Sequence, residues 1–240
     1  MGLLADAFRW LTDPAHYGGP NGIPTRVLEH VQISFQAVAV AAIVAVPVGL
    51  FIGHRRRFES VATTIGGLGR ALPSFGVLGI LFGPTLAWPG KIGYWATFIA
   101  LILLSIPPLL ISTYVSIKGV DDDLVEAARG MGMSGTEILR RVKIPLGMPL
   151  IVSGFRIASV QSIATATLWG VAGGGAIGRY IVDGFASQNR VLLLAGAILV
   201  ALVAIATEFA FGVAARLLSP KTTSHRNMPG APPASAPTPV

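Results

Sequence analysis

Few residues in this 240-residue chain have the types and spacing that chemistry needs. Gly173, Gly175 and Gly178 spell G-x-G-x-x-G, the pattern that lets a pyrophosphate approach a backbone. That loop works between a strand and a helix of a βαβ unit, and no strand-like segment precedes it here, so a closely packed turn is expected instead. No G-x-x-x-x-G-K-[ST] occurs, so the chain has no phosphate cradle of its own, and any ATP must be bound by another subunit. There is no HExxH, no paired carboxylate within an apolar run and no Ser/His pair there. His16, His30, His54 and His225 are scattered without metal spacing, and Asp121, Asp122 and Asp123 are consecutive, as at a solvated helix start rather than in a Ca²⁺ loop. Zero cysteines exclude disulfides, thiolate metal sites and a cysteine nucleophile. An enzyme is therefore not expected, nor a resident cofactor or metal. What remains are two charges inside apolar runs, Arg156 and Glu208, with Gln161 near the first. An unpaired charge at bilayer depth costs a few kcal/mol or more, so Arg156 and Glu208 are expected to face each other or to share a polar network with Gln161, as candidates for a polar path.

The elements that must position these groups are apolar. Hydrophobic residues make up 52% of the chain and charged residues 12%, against roughly 25% charged in soluble domains. Five uncharged stretches approach spanning length: Val31–Gly53, Ala71–Gly90, Ile92–Ile117, Ile157–Gly178 (beginning near Pro149) and Val191–Thr207 (continuing to about Ala215). Continuous apolar runs without alternation favour helices over barrel strands. The expected fold is an all-α integral membrane protein with five core transmembrane helices.

Segments holding Arg55, Arg56, Arg57, Arg70, Lys118, Arg129, Arg140, Arg141, Lys143, Arg216, Lys221 and Arg226 alternate with segments holding Arg9, Arg26, Lys91, Arg179 and Arg190. The positive-inside bias places the first set, including the 118–148 loop and the C-terminus, in the cytoplasm, and the N-terminus outside. Residues 1–30 read as an outer segment: Leu3, Leu4, Ala7, Phe8, Trp10 and Leu11 suggest an interfacial helix, followed by Gly/Pro breaks. Residues 31–215 form the membrane domain, and the Pro/Ala/Ser/Thr-rich residues 216–240 a disordered tail. Gly49/Gly53 and Gly79/Gly83 have the spacing that lets helices approach closely. Trp88, Tyr94, Trp95, Trp169 and Tyr180 flank outer turns and are expected in the interfacial aromatic belt.

The 118–148 loop is the most polar internal segment and reads as two short helices. Asp123, with Glu126 three residues on, can cap the first, about Leu124 to Met131. Ser134, with Glu137, can cap the second, which is expected to end before Pro145. Glu126-Ala127-Ala128, three residues, Gly132, nine residues, then Val142-Lys143-Ile144-Pro145 resembles the EAA loop of ABC importer permeases, with Val142 and Ile144 as conservative departures. Residues 46–56, 71–81, 153–185 and 194–209 resemble the permeases of osmoprotectant importers, a likeness covering most of 30–215.

The resemblance implies a fold of the ABC importer permease type in the bacterial cell membrane. It implies that Glu126, Ala127, Ala128, Gly132, Val142, Ile144 and Pro145 form a coupling loop docking on an ATP-binding subunit. It implies a pore shared with a second permease, identical or related, fed by an extracytoplasmic solute-binding protein, with no nucleic-acid role. The implied cargo is a quaternary amine such as glycine betaine; the alternative is another small solute such as an amino acid.

Overall fold

The computed structural model describes residues 2–71 and 74–218. Leu3–Thr12 forms α1, and a short 3₁₀ turn at Pro14–His16 leads to α2, Ile23–Arg55. The chain turns back through α3, Glu59–Ala71, and α4, Ser74–Thr85, then runs down α5, Tyr94–Lys118. The polar loop contributes α6, Asp122–Gly130, and α7, Gly135–Ile138. A π-helical turn, Leu139–Lys143, joins α7 to α8, Ile144–Thr165. Then come α9, Leu168–Val171, α10, Gly178–Ala186, and α11, Arg190–Leu218.

Among the described residues four stretches are long and apolar enough to cross a bilayer: α2, α5, the stretch from α7 to α9, and α11. The sequence expectation differs at the second span. Of residues 71–90, Ala71 ends α3, 72–73 lie outside the described residues, and Ser74–Thr85 form α4, whose 12 residues reach only about 18 Å. Pro84 lies within α4 and Gly83 beside it, and the chain leaves the helix for a turn at Leu86–Gly93, bonded from Leu86 N–H to the Gly83 carbonyl. The fourth span starts at Ile144 rather than near Pro149 and gives way after Thr165, so the glycine-rich stretch is a turn and not the end of a helix.

The bundle has two ends. One carries the starts of α2 and α5, the end of α8 and the glycine-rich turn; it is called here the glycine end. The other carries Arg55, Lys118 and α6–α7; it is the loop end. The α2–α5 crossing is set by Gly49 and Gly53: a Cβ at Gly49 would lie 2.8 Å from Thr113 Cβ, and one at Gly53 would lie 2.8 Å from the Tyr114 carbonyl oxygen. Backbones this close maximise dispersion contact where lipid offers no hydrophobic drive. Gly79 and Gly83, with the same spacing, meet no atom within 4 Å. The α5–α8 crossing uses Gly147 and Gly154 instead, against Ser116 Oγ (2.1 Å from a would-be Cβ) and Ser112 Cβ (2.6 Å). The Ser116 hydroxyl donates to the Gly147 carbonyl at 2.6 Å. Val38, Ala41, Ala45, Leu109, Leu110 and Ala158 fill the centre between α2, α5 and α8.

The segment before the first span packs against the bundle. Leu11 and Ile23 share a core with Ile177, Tyr180 and Ala195, so α1 rests on α10 and α11, while Leu3, Leu4 and Phe8 stay exposed. The Tyr180 hydroxyl donates to the Asn21 carbonyl at 2.6 Å, and Trp10 stacks on His16 with ring centroids 4.1 Å apart. The expected tail lies outside the described residues from position 219 onward.

Candidate coupling loop and membrane polar groups

At the loop end α6 is capped by Asp121, whose carboxylate accepts the Asp123 N–H at 3.0 Å, and not by Asp123. Asp121 takes this position because its side chain reaches two residues forward, and with the helix starting at Asp122, Glu126 is left beyond capping range and exposed. The helix ends in a Schellman motif. Met133 N–H reaches the Ala128 carbonyl at 3.2 Å and Gly132 N–H reaches Arg129 at 2.9 Å. Gly132 sits at φ +83° with no atom within 4 Å of a would-be Cβ, so glycine is required by backbone conformation rather than by crowding. Ala127 is exposed, whereas Ala128 is buried.

One residue on, Ser134 and Glu137 form a reciprocal capping box. Glu137 Oε2 accepts the Ser134 N–H at 2.9 Å, and Ser134 Oγ accepts the Glu137 N–H at 3.4 Å. The second helix does not end before Pro145. The π-turn over Leu139–Lys143 carries the Ile144 N–H to the Leu139 carbonyl, five residues back. The wider turn relieves the clash that a proline ring makes with the preceding turn, and Pro145 then occupies the first turn of α8, where its missing N–H is tolerated. Val142 and Ile144 thus lie on one continuous rod running from α7 into α8. The loop is tied to the bundle by ion pairs of Arg56 with Asp122 and of Lys118 with Glu59. The Lys118 ammonium holds the Glu59 carboxyl below its usual range. A groove of about 580 Å³ between α2 and α7, lined by Phe51, His54, Gly135 and Leu139 among others, flanks the same surface.

Within the membrane helices, Arg156 of α8 and Glu208 of α11 form an ion pair through Nη2 and Oε1, each side chain about 42% exposed. Gln161 lies apart from this pair: it borders a small cavity with Gly66, Pro107, Pro108 and Ser112. Between α2 and α8, buried His30 donates through Nε2 to the Ile163 carbonyl at 2.8 Å. Ser34 Oγ then donates to the His30 carbonyl at 2.8 Å, and Ser162 Oγ to the Ser34 carbonyl at 3.3 Å.

The glycine end holds a centre that sequence reasoning missed. Glu29, only 11% exposed, takes an ion pair from Lys91, a 2.9 Å bond from Arg26 Nη1 and a 2.9 Å bond from the Ala176 N–H. A Cβ at Gly175 would sit 2.4 Å from Glu29 Oε2, and one at Gly174 would sit 2.0 Å from Trp169 Nε1. Gly170 and Gly178 press backbone to backbone, with a would-be Cβ of Gly170 2.3 Å from the Gly178 carbonyl carbon. The G-x-G-x-x-G spelling therefore reflects packing around a carboxylate and an indole. The aromatic-belt expectation is corrected at two rings. Trp169 is 3% exposed and Tyr180 is buried, because each has its polar atom committed to a backbone carbonyl: Trp169 Nε1 donates to Ile92 at 3.0 Å. A single carboxylate just before an apolar run carried no sequence signal of its role, since two of its three partners lie 62 and 147 residues away.

Residues 45–224 match the family described as binding-protein-dependent transport system inner membrane component. A glycine betaine/carnitine/choline transport system permease protein of Bacillus subtilis is 35% identical over 80% of this chain and 87% of its own length. A carnitine transport permease protein of Listeria monocytogenes is 33% identical over 80% of this chain and 86% of its own. An osmoprotectant import permease protein of Salmonella typhimurium is 28% identical over 90% and 98%. Among solved structures, an inward-facing methionine ABC transporter matches with a TM-score of 0.70 at 18% identity, covering 80% of this chain and 94% of that one.

Proposed function

This chain belongs to the family of binding-protein-dependent transport system inner membrane components, multi-pass proteins of the bacterial plasma membrane, and from that premise we propose that it is the permease subunit of an ATP-driven importer of compatible solutes. The cargo in this reading is a quaternary amine of the glycine betaine type, supported by relatives at 31–35% identity that are named for glycine betaine, carnitine and choline. The methionine transporter lends its fold and no substrate. The chain does no chemistry; ATP is bound and hydrolysed by a partner.

In this reading the loop end faces the cytoplasm and the N-terminus lies outside, with residues 71–90 as the second of five crossings. Two permeases, identical or related, enclose the pore, an ATP-binding subunit docks on Glu126–Pro145 of each, and a solute-binding protein delivers cargo to the glycine end. The observation that carries the coupling step is the unbroken rod from α7 through the π-turn into α8. A push on α6–α7 reaches α8 without a flexible linker. From α8 it passes to α5 through Gly147 and Gly154, and to α11 through the Arg156–Glu208 pair. The pair and Gln161 supply polar groups along this moving helix.

The substrate reading is tested by deleting the chain and measuring salt-protective uptake of radiolabelled betaine-type solutes. Loss of uptake of at least one of them is expected. Undiminished uptake of every quaternary amine, with loss of some other nutrient, would overturn it.

A further inference from the structure

At the glycine end, a cavity of about 380 Å³ lies between α2, the Leu86–Gly93 turn, α5 and α9, with Glu29, Gln36, Lys91, Tyr94, Trp95 and Trp169 in its wall. That volume falls within the roughly 300–1,000 Å³ of small-molecule sites. Three rings form a corner. Tyr94 meets Trp169 at 5.4 Å and 72°, and Trp95 at 5.4 Å and 87°. Each ring's polar atom is already engaged: Tyr94 Oη donates to Gln36 Oε1 at 2.9 Å, Trp95 Nε1 to the Pro89 carbonyl at 2.6 Å and Trp169 Nε1 to the Ile92 carbonyl at 3.0 Å. These bonds lock the rings and leave carbon surface for a guest. Such a wall favours a cation that needs no hydrogen bonds, because ring quadrupoles attract positive charge while a methylated ammonium offers no N–H to satisfy.

The rim adds a second requirement. The one carboxylate in the cavity wall, Glu29, is already paired with Lys91 and, from outside the cavity, with Arg26, so a bare cation finds no free anion there. Lys91 is 64% exposed, and Glu29 keeps Arg26 and the Ala176 N–H as donors if Lys91 swings away. Lys91 is thus free to take a carboxylate while Glu29 stays satisfied.

The geometry points to a binding site on the permease itself for a zwitterionic quaternary amine, its methylated ammonium against Tyr94, Trp95 and Trp169 and its carboxylate on Lys91. This rests on the compatible-solute reading and sharpens it: a betaine fits, and choline, which lacks the carboxylate, fits less well.

The test is equilibrium binding of radiolabelled glycine betaine and choline to the purified full chain in nanodiscs, with no binding protein present. Saturable glycine betaine binding is expected, tighter than choline binding. Trp95→Leu weakens glycine betaine binding at least tenfold, while Trp95→Phe, which keeps an aromatic face, retains most of it and controls for folding. Lys91→Gln weakens glycine betaine at least fivefold and leaves choline unchanged or tighter. Absence of saturable binding in the unmodified chain, indifference to Trp95→Leu, or equal losses of both ligands in Lys91→Gln overturns the site. The uptake experiment separates this from the broader reading: betaine uptake lost on deletion of a chain that binds no betaine removes the site and leaves the importer standing.

Discussion

At the glycine end, Gly170, Gly174, Gly175 and Gly178 each lie within 3 Å of a neighbouring backbone or side chain once a Cβ is added. At the loop end, Gly130 and Gly132 meet nothing within 4 Å. The first set is glycine because there is no room, and the second because of helix termination, with Gly132 at φ +83°. The polar groups divide the same way. Glu29 is sealed under three donors, whereas Glu126 and Arg129 stay exposed on α6. One end is packed against itself; the other presents a rigidly capped but uncovered surface, as a docking element must. Identical residue types thus report opposite demands, and only the surroundings tell them apart.

The sharpest way to break this comparison is to place the same methyl group at both ends. Gly178→Ala drives a Cβ to within 2.1 Å of the Thr167 carbonyl oxygen, where backbone must move. A loss of about 3 kcal/mol is expected, read as a collapse in yield or thermal midpoint of the solubilised protein. Gly132→Ala meets only the cost of a left-handed backbone, roughly 1–2 kcal/mol, confined to the α6 terminus. Equal destabilisation by the two would dissolve the distinction.

Next in size is Glu29→Ala, which removes the ion pairs of Arg26 and Lys91 and strands the Ala176 N–H. A cost of about 2–3 kcal/mol is expected in the same unfolding assay. Glu29→Gln, keeping an acceptor, costs less. If the two variants behave alike, Glu29 is not the knot of the glycine end.

The smallest effect is expected where both side chains are half exposed. A double-mutant cycle on Arg156→Leu and Glu208→Leu gives a coupling of roughly 0.5–1.5 kcal/mol in assembled, membrane-inserted protein. Strict additivity would mean that the ion pair contributes nothing.

These regions also differ in how legible they were. The Ser134/Glu137 capping box was readable because its partners are three residues apart, and the meeting of Arg156 with Glu208 because charge at depth is costly wherever it falls. Pro145 misled, since a proline is expected to end a helix, whereas here a π-turn precedes it and the helix continues. Gly49 and Gly53 were recognisable from their spacing. Gly147 and Gly154, seven apart, do the same work against α5, and Gly79 and Gly83 do none within this chain. Within the second expected span, hydropathy did not register that α4 stops at Thr85 and gives way to a turn. Trp169 and Tyr180 resembled belt residues because sequence cannot show that each ring is buried with its polar atom bonded to a distant backbone carbonyl.

The central claim is that the loop end couples this permease to its ATPase through one continuous helical rod. Gly132→Asp distorts the joint between α6 and α7 while touching nothing in the membrane. With the complete importer in proteoliposomes, we expect this variant to insert and fold normally, yet to lose at least tenfold in solute-stimulated ATP hydrolysis and to retain its ATPase poorly on purification. A well-expressed Gly132→Asp protein that keeps both its ATPase and its solute-stimulated hydrolysis unchanged would reduce residues 118–148 to a connector and contradict the account.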